Sequence, residues 1–482
     1  MTAAVGSSLL VAIALAGAVA PAAERWTQFR GPNAAGISQS TGLPEQFNDS
    51  TRLWRTALPP GKSSPVFAGN RIFLTAHEGG PQDGKLLTVC LDRRDGRILW
   101  KRDVPQSRQE RRHKLNDAAA PTPVTDGRNV YSFFADFGLV SYTAAGKERW
   151  RLPLPPMPSM QGVAGSPILY GDRLLLVVDQ AEGSYMVAVN TANGEAVWRR
   201  DRRPAPGGAY SSPVLFHPEG GQPQLVTFSP NELAGFSIAT GEKIWWVGGL
   251  PPQPKSTPVV AGDMIFAFAR SFYGDGLPPI APWDKALAEN DRDANGSIEK
   301  AEAPEGPAKR YFGVVDRNKD GHVDAVEWAG MIEAAAPSSV LMAIRPPWDA
   351  AKGHGDLSAT AVAWRFDRNI PDVPSPLFYE GILYMVQNGG ILTALDAATG
   401  KVHKQGRLTG ALGDYYASPV AAAGNIYFVN QEGKLTVVRA GQHWEIIAVS
   451  DLGEDCFATP APVDNAVYVR TASAIARYQA AP

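Results

Sequence analysis

The sequence has few of the residues on which disulfide scaffolds and many enzyme active sites depend. Its 482 residues include two cysteines, Cys90 and Cys456, which excludes a disulfide-stabilised scaffold. The two fall in the first and last copies of the repeat described below, and we expect two separate buried thiols there, with a disulfide as the alternative. The seven histidines lack metal-site spacing. Nucleophile-elbow, Walker and dinucleotide-binding motifs are absent, so we assign no catalytic residues.

Net charge and long apolar runs are also limited. Lysine and arginine total 46 against 48 acidic residues, which argues against a nucleic-acid-binding protein. The one long apolar run, 9–19, is too short to span a bilayer and precedes the small-residue cleavage pattern Ala18-Val-Ala20. We therefore predict a signal peptide over 1–23, a mature chain without a transmembrane segment, and a periplasmic or secreted bacterial protein.

Turn residues and short β-rich runs are abundant, with 48 glycines and 40 prolines. In the segment 165–198, four apolar runs are separated by the turn pairs Gly171-Asp172, Gly183-Ser184 and Asn193-Gly194. Asn-Gly between apolar runs favours a tight hairpin, because both residues tolerate positive φ. The segment therefore predicts one antiparallel sheet of about four strands.

This unit recurs eight times along the chain. A Ser/Thr-Pro pair opens each copy, and successive prolines lie 58, 44, 46, 45, 118, 43 and 41 residues apart. A period near 45 is the length of a propeller blade, and the long gap indicates an insertion of about 70 residues. The eight pairs are Ser64-Pro65, Thr122-Pro123, Ser166-Pro167, Ser212-Pro213, Thr257-Pro258, Ser375-Pro376, Ser418-Pro419 and Thr459-Pro460.

The eighth copy has chain for only three strands, and the segment 52–57 is an orphan strand that can supply the fourth. Closing the ring in this way removes exposed sheet edges. We therefore predict an all-β, eight-bladed propeller of four-stranded antiparallel blades, with a β-solenoid or two sandwiches as the alternatives. The predicted divisions are an N-terminal arm (24–50), blades one to five in part (51–280), a small helical insertion in blade five (281–337) and the remaining blades (338–482).

A glycine four residues before a tryptophan closes the first four copies, as in Gly194 and Trp198, whereas Gly400 is followed by Lys404. The runs 188–198 and 394–401 resemble the tryptophan-docking repeats of quinoprotein-type propellers, and 26–32 resembles the N-terminus of bacterial PQQ-like repeat proteins. The resemblance covers nearly all of the chain outside the insertion. It implies tryptophans packed between blades, and it does not imply a quinone, because most members of the family bind none.

Two twelve-residue segments of the insertion fit the EF-hand calcium loop. Calcium takes six to eight oxygens, and this loop supplies them from positions 1, 3, 5, 7, 9 and 12, with glycine at position 6 for a sharp turn. Gly296 and Gly321 occupy position 6, and we assign the backbone oxygen of His322 at position 7. We predict two calcium ions, held by Asp291, Asp293, Asn295, Ser297, Glu299 and Glu302, and by Asp316, Asn318, Asp320, His322, Asp324 and Glu327.

The two loops are closely spaced. Only 13 residues separate Glu302 from Asp316, and they include Pro304 and Pro307, so the first exit helix is expected to be barely one turn. Ile298 and Val323 at position 8 can pair as a short β-bridge. This spacing favours a calcium-stabilised module or a docking surface over a sensor that opens a large groove. A dockerin pair is the alternative, although its loops usually lack the terminal glutamate.

Loops that enter the innermost strands should line a central funnel. The polar residues that we expect there are Lys62, Asn116, Gln161, Tyr210, Lys255, Asp372, Asp414, Tyr415, Glu454 and Asp455. The adjacent cysteine pair that the resemblance would require over a quinone is absent. We therefore favour a non-catalytic binding or scaffold protein with an unidentified protein or glycan partner, which docks at the funnel or the EF-hand surface. The alternatives are a PQQ-dependent dehydrogenase of an alcohol or sugar, and a carbohydrate or cell-wall binder.

Overall fold

A computed structural model of the chain describes residues 26–80, 83–205, 207–271, 280–316, 318–335, 338–347 and 353–480. The predicted signal peptide, 1–23, lies outside these residues. Within them, eight sheets of antiparallel strands follow the repeat, and each begins with a short inner strand just after its Ser/Thr-Pro pair. The eight-bladed propeller fold predicted from the repeats is confirmed.

The strand bounds of the first four blades follow the period of the sequence. One strand, β1 (Arg52–Ala57), precedes them. Blades one and two contain β2 (Val66–Ala68), β3 (Arg71–Glu78), β4 (Lys85–Asp92), β5 (Ile98–Pro105), β6 (Val124–Thr125), β7 (Asn129–Phe134), β8 (Gly138–Thr143) and β9 (Glu148–Pro153). Blades three and four contain β10 (Ile168–Tyr170), β11 (Arg173–Val178), β12 (Tyr185–Asn190), β13 (Ala196–Asp201), β14 (Val214–Phe216), β15 (Gln224–Ser229), β16 (Glu232–Ser237) and β17 (Lys243–Gly248).

Blade five is interrupted between its second and third strands. The elements from its start to its last strand are β18 (Val259–Ala261), β19 (Met264–Ala269), α1 (Trp283–Asn290), β20 (Ile298–Glu299), α2 (Pro307–Arg310), α3 (Phe312–Val315), β21 (His322–Val323), α4 (Ala325–Ala335), β22 (Val340–Ile344), β23 (Gly355–Asp356) and β24 (Val362–Phe366). The strands β20 and β21 form a separate two-stranded sheet, and β18, β19, β22 and β24 form the blade. The helices therefore lie in an insertion between neighbouring strands of one blade.

The last three blades return to the regular period. They contain β25 (Leu377–Tyr379), β26 (Ile382–Gln387), β27 (Ile391–Asp396), β28 (Val402–Arg407), β29 (Val420–Ala422), β30 (Asn425–Val429), β31 (Lys434–Arg439), β32 (Glu445–Asp451), β33 (Ala461–Val463), β34 (Ala466–Arg470) and β35 (Ala474–Gln479). Strand β1 pairs antiparallel with β35, from Arg52 opposite Tyr478 to Ala57 opposite Ala474. The N-terminal strand is therefore the outer strand of blade eight and closes the ring.

Tryptophans of the outer strands join neighbouring blades. The Trp150 indole N–H donates to the Thr191 carbonyl of the next blade at 3.0 Å, and its ring packs on Gly194. A Cβ on Gly194 would lie 2.7 Å from that ring, and the φ of Gly194 is +79°, so both space and backbone require glycine. The same pairing recurs for Trp54 with Gly96, Trp100 with Gly146, Trp198 with Gly241 and Trp364 with Gly400.

Two of the remaining blade junctions are built differently. At blade four, the connection before the last strand of blade five reaches back, and β23 pairs in parallel with β17 at Trp245 and Trp246. At blade seven, Trp444 lies before its strand and faces blade six, where the Lys404 ammonium lies 4.2 Å from the ring centroid. Lys404 therefore occupies the tryptophan position because the aromatic ring is supplied from the neighbouring blade.

The eight Ser/Thr-Pro pairs form a closed ring of hydrogen bonds, which we call the belt. In each blade the backbone N–H of the serine or threonine donates to the hydroxyl oxygen of the equivalent residue in the next blade, at 2.9–3.3 Å. The ring closes from Thr459 to Ser64 at 3.0 Å. The repeated hydroxyl therefore links each blade to the next around the axis. This link explains why each pair begins with serine or threonine, which the position of the pair before a strand does not explain.

Removing one hydroxyl of the belt should weaken the ring. In Ser166→Ala the buried N–H of Thr122 loses its 2.9 Å acceptor, and an unsatisfied buried donor costs about 1–3 kcal/mol. We expect the free energy of unfolding, measured by urea denaturation, to fall by about that amount. The control is Ser166→Thr, which keeps the acceptor and should behave as the parent protein. Equal stability of the alanine and parent proteins would contradict a structural role for the belt.

The N-terminal arm covers one end of the channel. Trp26, 1 % exposed, accepts a hydrogen bond from the Phe67 N–H of blade one at 2.8 Å. The buried guanidinium of Arg30 donates to the Pro376 carbonyl of blade six at 2.9 Å, and burial lowers the pKa of Arg30 to about 9. A short 3-10 helix, Pro32–Ala34, follows. The arm therefore bridges several blades.

Both cysteines are free and buried. The Cys456 thiol lies 3.1 Å from the Arg470 carbonyl oxygen, and burial raises the pKa of each thiol to about 12. These are the two separate thiols expected from the sequence. Among the described residues, no helix has the length and apolar character needed to cross a bilayer.

Candidate metal centre and central channel

Each twelve-residue loop of the insertion turns sharply at its glycine. Gly296 and Gly321 adopt φ of +83° and +88°, in the left-handed region that glycine tolerates at little cost. The N–H of Gly296 donates to Asp291 at 2.9 Å, and that of Gly321 donates to Asp316 at 3.1 Å. Position 6 of each loop is therefore folded back onto position 1, as the sequence pattern requires.

The first loop brings carboxylates together. Oxygens of Asp291, Asp293 and Glu302 lie within 4.8 Å of one another. Glu302 also accepts a hydrogen bond from the Arg292 N–H at 2.8 Å, which places position 12 across the loop from position 1. Asn295 at position 5 donates to Asp293 at 3.0 Å. Crowded carboxylates repel one another unless a cation or hydrogen bonds compensate, so this group has the chemistry of a hard-cation site.

In the second loop, too, a backbone N–H near the start of the loop holds the final glutamate, and one buried carboxylate oxygen has no partner among the described residues. Glu327 accepts from the N–H of Asn318 at 3.2 Å, and the His322 N–H donates to Asp320 at 2.8 Å. Asp316 is 7 % exposed, and its Oδ1 has no hydrogen-bond partner among the described residues. Leaving such an oxygen buried and unpaired is costly, and a bound cation would remove that cost.

The two loops are joined back to back. Ile298 pairs with Val323, and Glu299 pairs with His322, which is the short bridge expected from position 8. Both apolar side chains are buried with Phe312 in the core of the insertion. The imidazole of His322 lies 2.8 Å from the Glu299 carboxylate. The sequence analysis assigned only the backbone oxygen of His322, as a calcium ligand, and did not predict this side-chain contact.

The remaining predicted ligand positions lie around the same loops. The N–H of Ser297 donates to Asn295 at 2.8 Å, and Asp324 accepts from the Glu327 N–H at 2.8 Å, which caps the start of α4. The segment after the first loop contains only α2 and α3, of four residues each. All twelve predicted residues are therefore in two adjacent loops separated by short helical turns.

The central channel is lined by two rings of side chains. One is the belt, and the other, which we call the collar, consists of the residues two positions before each belt residue. Together they bound a cavity of about 200 Å³. The collar residues are Lys62, Ala120, Ala164, Tyr210, Lys255, Val373, Tyr416 and Phe457.

The cations of the collar already have partners. The Lys62 ammonium lies 3.8 Å from the Phe457 ring centroid and donates to the Leu115 carbonyl. Burial lowers the pKa of Lys62, against the opposing effect of Asp117 and Asp455. Lys255 forms an ion pair with Asp372 at 2.8 Å. The channel mouth is therefore aromatic, and the positive charges of Lys62 and Lys255 are already engaged by neighbouring groups.

The expected funnel residues divide into three groups. Lys62, Asn116, Gln161, Tyr210 and Lys255 line the cavity. A second group lies close enough to the collar to act on it electrostatically and consists of Asp372, Asp414 and Asp455. Burial raises the pKa of Tyr416, and Asp414 and then Asp372 raise it further. Asp455 raises the pKa of Lys62 against the larger lowering effect of burial.

Two expected funnel residues were wrong. Tyr415 is buried, and its hydroxyl donates to the Ala411 carbonyl at 2.6 Å, whereas its neighbour Tyr416 lines the channel. Glu454 accepts hydrogen bonds from Thr471 and Ser473 in blade eight. Sequence reasoning also missed Phe457. The spacing of two residues before each Ser/Thr-Pro pair would have found both aromatic residues.

Comparisons with known proteins agree with this architecture. A family model described as outer membrane protein assembly factor BamB matches residues 46–162, 87–277 and 352–480, which together are about three quarters of the chain. No curated protein shows significant similarity to it. These matches leave out the insertion, so they bear on the propeller alone.

Solved structures share the fold at low sequence identity. BamB from Moraxella catarrhalis is 11% identical, with a TM-score of 0.53, over 88% of this chain and 97% of that chain. The designed Ika8 protein is 11% identical, with a TM-score of 0.53, over 89% and 99%. Quinohemoprotein alcohol dehydrogenase ADHIIG from Pseudomonas putida HK5 is 14% identical, with a TM-score of 0.55, over 95% and 80%. On the repeats, the blades and the family match, the chain belongs to the PQQ-like propeller family of the outer membrane protein assembly factor BamB.

Proposed function

We propose that this protein is an exported, calcium-binding propeller that acts as a non-catalytic binding or scaffold protein in the periplasm or outside the cell. The observation that carries the proposal is the pair of adjacent loops with carboxylates at the calcium-ligand positions. One of these carboxylates, that of Asp316, has a buried oxygen without a hydrogen-bond partner in the part of the chain that the structure describes. Export rests on the sequence of 1–23.

The residues of the insertion fit two calcium ions. Each loop offers oxygen donors only, from carboxylates, one asparagine and backbone carbonyls, and calcium binds such donors in preference to nitrogen or sulfur. The carboxylates that end the loops, Glu302 and Glu327, are 9 % and 6 % exposed, and each is held by backbone N–H groups at the start of its loop. Calcium would neutralise the crowded charge and fix the two loops against each other.

The channel fits a quinone poorly. Its cavity of about 200 Å³ is smaller than the roughly 300–1,000 Å³ of typical ligand pockets. A planar quinone needs a free face to stack on, and the Phe457 face is covered by Lys62 at 3.8 Å while its ring is tilted 41° to that of Tyr416. The small cavity and these contacts argue against a quinone-dependent reaction in the channel, and they therefore favour the non-catalytic proposal.

The family match supports a protein partner, because its description concerns an assembly factor. The aromatic residues of the collar give one specific reason to retain a glycan as second candidate. Tyr416 and Phe457 lie 5.4 Å apart at the mouth, beside the amide side chains of Asn116 and Gln161. Aromatic faces with nearby amides can contact a neutral sugar, and a glycan array would reveal such binding.

A calorimetric titration tests the non-catalytic proposal. The mature protein, saturated with calcium, is titrated with PQQ, and we expect no heat of binding because the channel cavity of about 200 Å³ is smaller than typical ligand pockets. Calcium titration of the same preparation is the control for correct folding and should give two sites. One-to-one binding of PQQ at micromolar affinity or tighter, followed by reduction of a dye in the presence of an alcohol or sugar, would favour the dehydrogenase alternative instead.

A further inference from the structure

A cleft separates the insertion from the propeller at blades three and four. Its volume is about 920 Å³, within the range of ligand-binding pockets. It shares no lining residue with the central channel, which is lined by the belt, the collar, the adjoining loops and Phe29 of the N-terminal arm. The cleft is therefore a second concave surface that neither the belt nor the collar explains.

The propeller wall of the cleft carries unpaired positive charge. Arg200 and Arg203 are exposed, and neither forms an ion pair with a described carboxylate. Their neighbour Arg202 differs, because it is bound at 2.7 Å to Asp179 in a buried pair. Arg200 donates to the Arg199 carbonyl at 3.4 Å, which leaves its charge without a carboxylate partner among the described residues. Both guanidinium groups are therefore available to a carboxylate supplied from outside the chain, and arginine binds carboxylates in a bidentate manner.

The other charges of this wall are largely compensated. Lys243 binds Glu232 at 2.6 Å, and Asp201 lies 3.5 Å from Arg199. Glu242 accepts a hydrogen bond from Thr240 at 3.1 Å, and it is the one carboxylate of the propeller wall without an ion pair among the described residues. The lining side chains of this wall carry four positive and four negative charges, so the positive excess is local, at Arg200 and Arg203, which lack the ion pairs that Arg202 and Lys243 form.

Apolar side chains lie between these charges. Phe236 and Trp246 line the cleft, and the Lys243 ammonium lies 5.3 Å from the Trp246 ring centroid. Three methionines also line it, Met160, Met186 and Met331. Methionine is unbranched and polarisable, and it is common at surfaces that accept varied peptide side chains. This combination suits a peptide with alternating acidic and apolar residues.

The insertion wall of the cleft consists of the two ends of the second loop. Val314 and Val315 immediately precede Asp316, and Glu327, Gly330 and Met331 are at or just after its last position. The angle between α3 and α4 therefore sets the position of this wall. An ion held by position 1 and position 12 would tie the two ends of the loop together and so hold α3 and α4 at a fixed angle.

We propose that this cleft binds an acidic peptide segment of a partner protein, and that calcium in the second loop controls the binding. The proposal rests on the calcium binding proposed above. Calcium would neutralise the carboxylates of Asp316 and Glu327 beside the cleft and hold its insertion wall in place, so an anionic segment should bind more tightly to the loaded protein. By thermodynamic linkage, the segment should tighten calcium binding by the same factor.

Fluorescence anisotropy with two synthetic probes tests the cleft. One is a fluorescein-labelled octapeptide of alternating aspartate and leucine, and the other has lysine in place of aspartate. With saturating calcium we expect saturable binding of the aspartate peptide only. In EGTA, or in Arg200→Glu/Arg203→Glu with calcium, binding should weaken about tenfold or more. The exposed pair Arg97→Glu/Arg128→Glu, outside the cleft, serves as a matched charge control.

Loop variants test the calcium control. Glu327→Gln should abolish the difference between calcium and EGTA, whereas Glu302→Gln, whose loop does not line the cleft, should retain most of it. The cleft proposal would be overturned if both peptides bound equally well or if neither bound. It would also be overturned if the control variant Arg97→Glu/Arg128→Glu weakened peptide binding as much as Arg200→Glu/Arg203→Glu. A calcium titration accompanies each assay: two bound ions with no peptide effect refute the cleft alone, and the absence of bound calcium refutes the proposed function.

Discussion

The double variant Glu302→Gln/Glu327→Gln is expected to lose both calcium ions, so that the stoichiometry measured by calorimetry falls from two to zero. Each glutamate is the bidentate ligand of its loop, which supplies two of the six to eight oxygens that calcium requires. Each single variant should weaken calcium at its own loop roughly 100-fold. Because Ile298 and Val323 form a short bridge between the loops, each single variant should also weaken calcium binding at the other loop, by a smaller factor.

The matched control for these variants is Glu305→Gln. Glu305 is an exposed glutamate of the same insertion, outside both loops, and it forms an ion pair with Lys309 at 2.6 Å. It should bind two calcium ions as the parent protein does. If the double loop variant also retained two ions at unchanged affinity, the assignment of the loops as calcium sites would be wrong.

Trp198→Ala is expected to cost about 3–5 kcal/mol of unfolding free energy, as is typical of a buried tryptophan removed from a packed site. Trp198 is 8 % exposed, and its ring packs against Gly241 of blade four while its indole N–H donates to the Ile238 carbonyl at 3.0 Å. The variant would leave a cavity between blades, and the Ile238 carbonyl would keep its 3.3 Å hydrogen bond from Arg173 but lose the shorter one. Urea denaturation measures the loss.

Two further variants separate the contributions at this junction. Trp198→Phe keeps an aromatic ring and loses the hydrogen bond, so the expected loss is smaller, about 1–3 kcal/mol. Val197→Ala changes the neighbouring residue of the same strand, which is 44 % exposed, and should change stability by less than about 1 kcal/mol. A stability of Trp198→Ala close to that of Val197→Ala would refute the docking role of the tryptophan.

The sequence predicts the blades well because each blade uses the same local contacts. The tight Asn-Gly hairpin predicted at 193–194 was wrong, because β12 and β13 are joined by the longer connection 191–195, in which Gly194 and not Asn193 has positive φ. That glycine closes the turn and also accepts Trp150 from the preceding blade. Ser166 likewise opens a strand and completes one link of the belt. Features that serve both a local and an inter-blade role repeat at a fixed spacing, so the period of the sequence carries the fold.

The details that the sequence does not predict depend on contacts between distant segments. Strand β23 has two residues, and it exists because the connection at 345–361 reaches the outer edge of blade four. The aromatic residue that lines the channel is Tyr416 and not its neighbour Tyr415, whose hydroxyl donates to the Ala411 carbonyl. The cleft requires the position of the insertion relative to the blades, which no local pattern specifies.

Native mass spectrometry of the mature protein, equilibrated with both calcium and PQQ, tests the central claim most directly, because one spectrum reports both ligands. We expect a single folded species whose mass exceeds that of the apoprotein by two calcium ions, with no quinone bound. A species that carries one quinone, or a folded species that carries no calcium, would contradict the proposal of a calcium-binding, non-catalytic propeller.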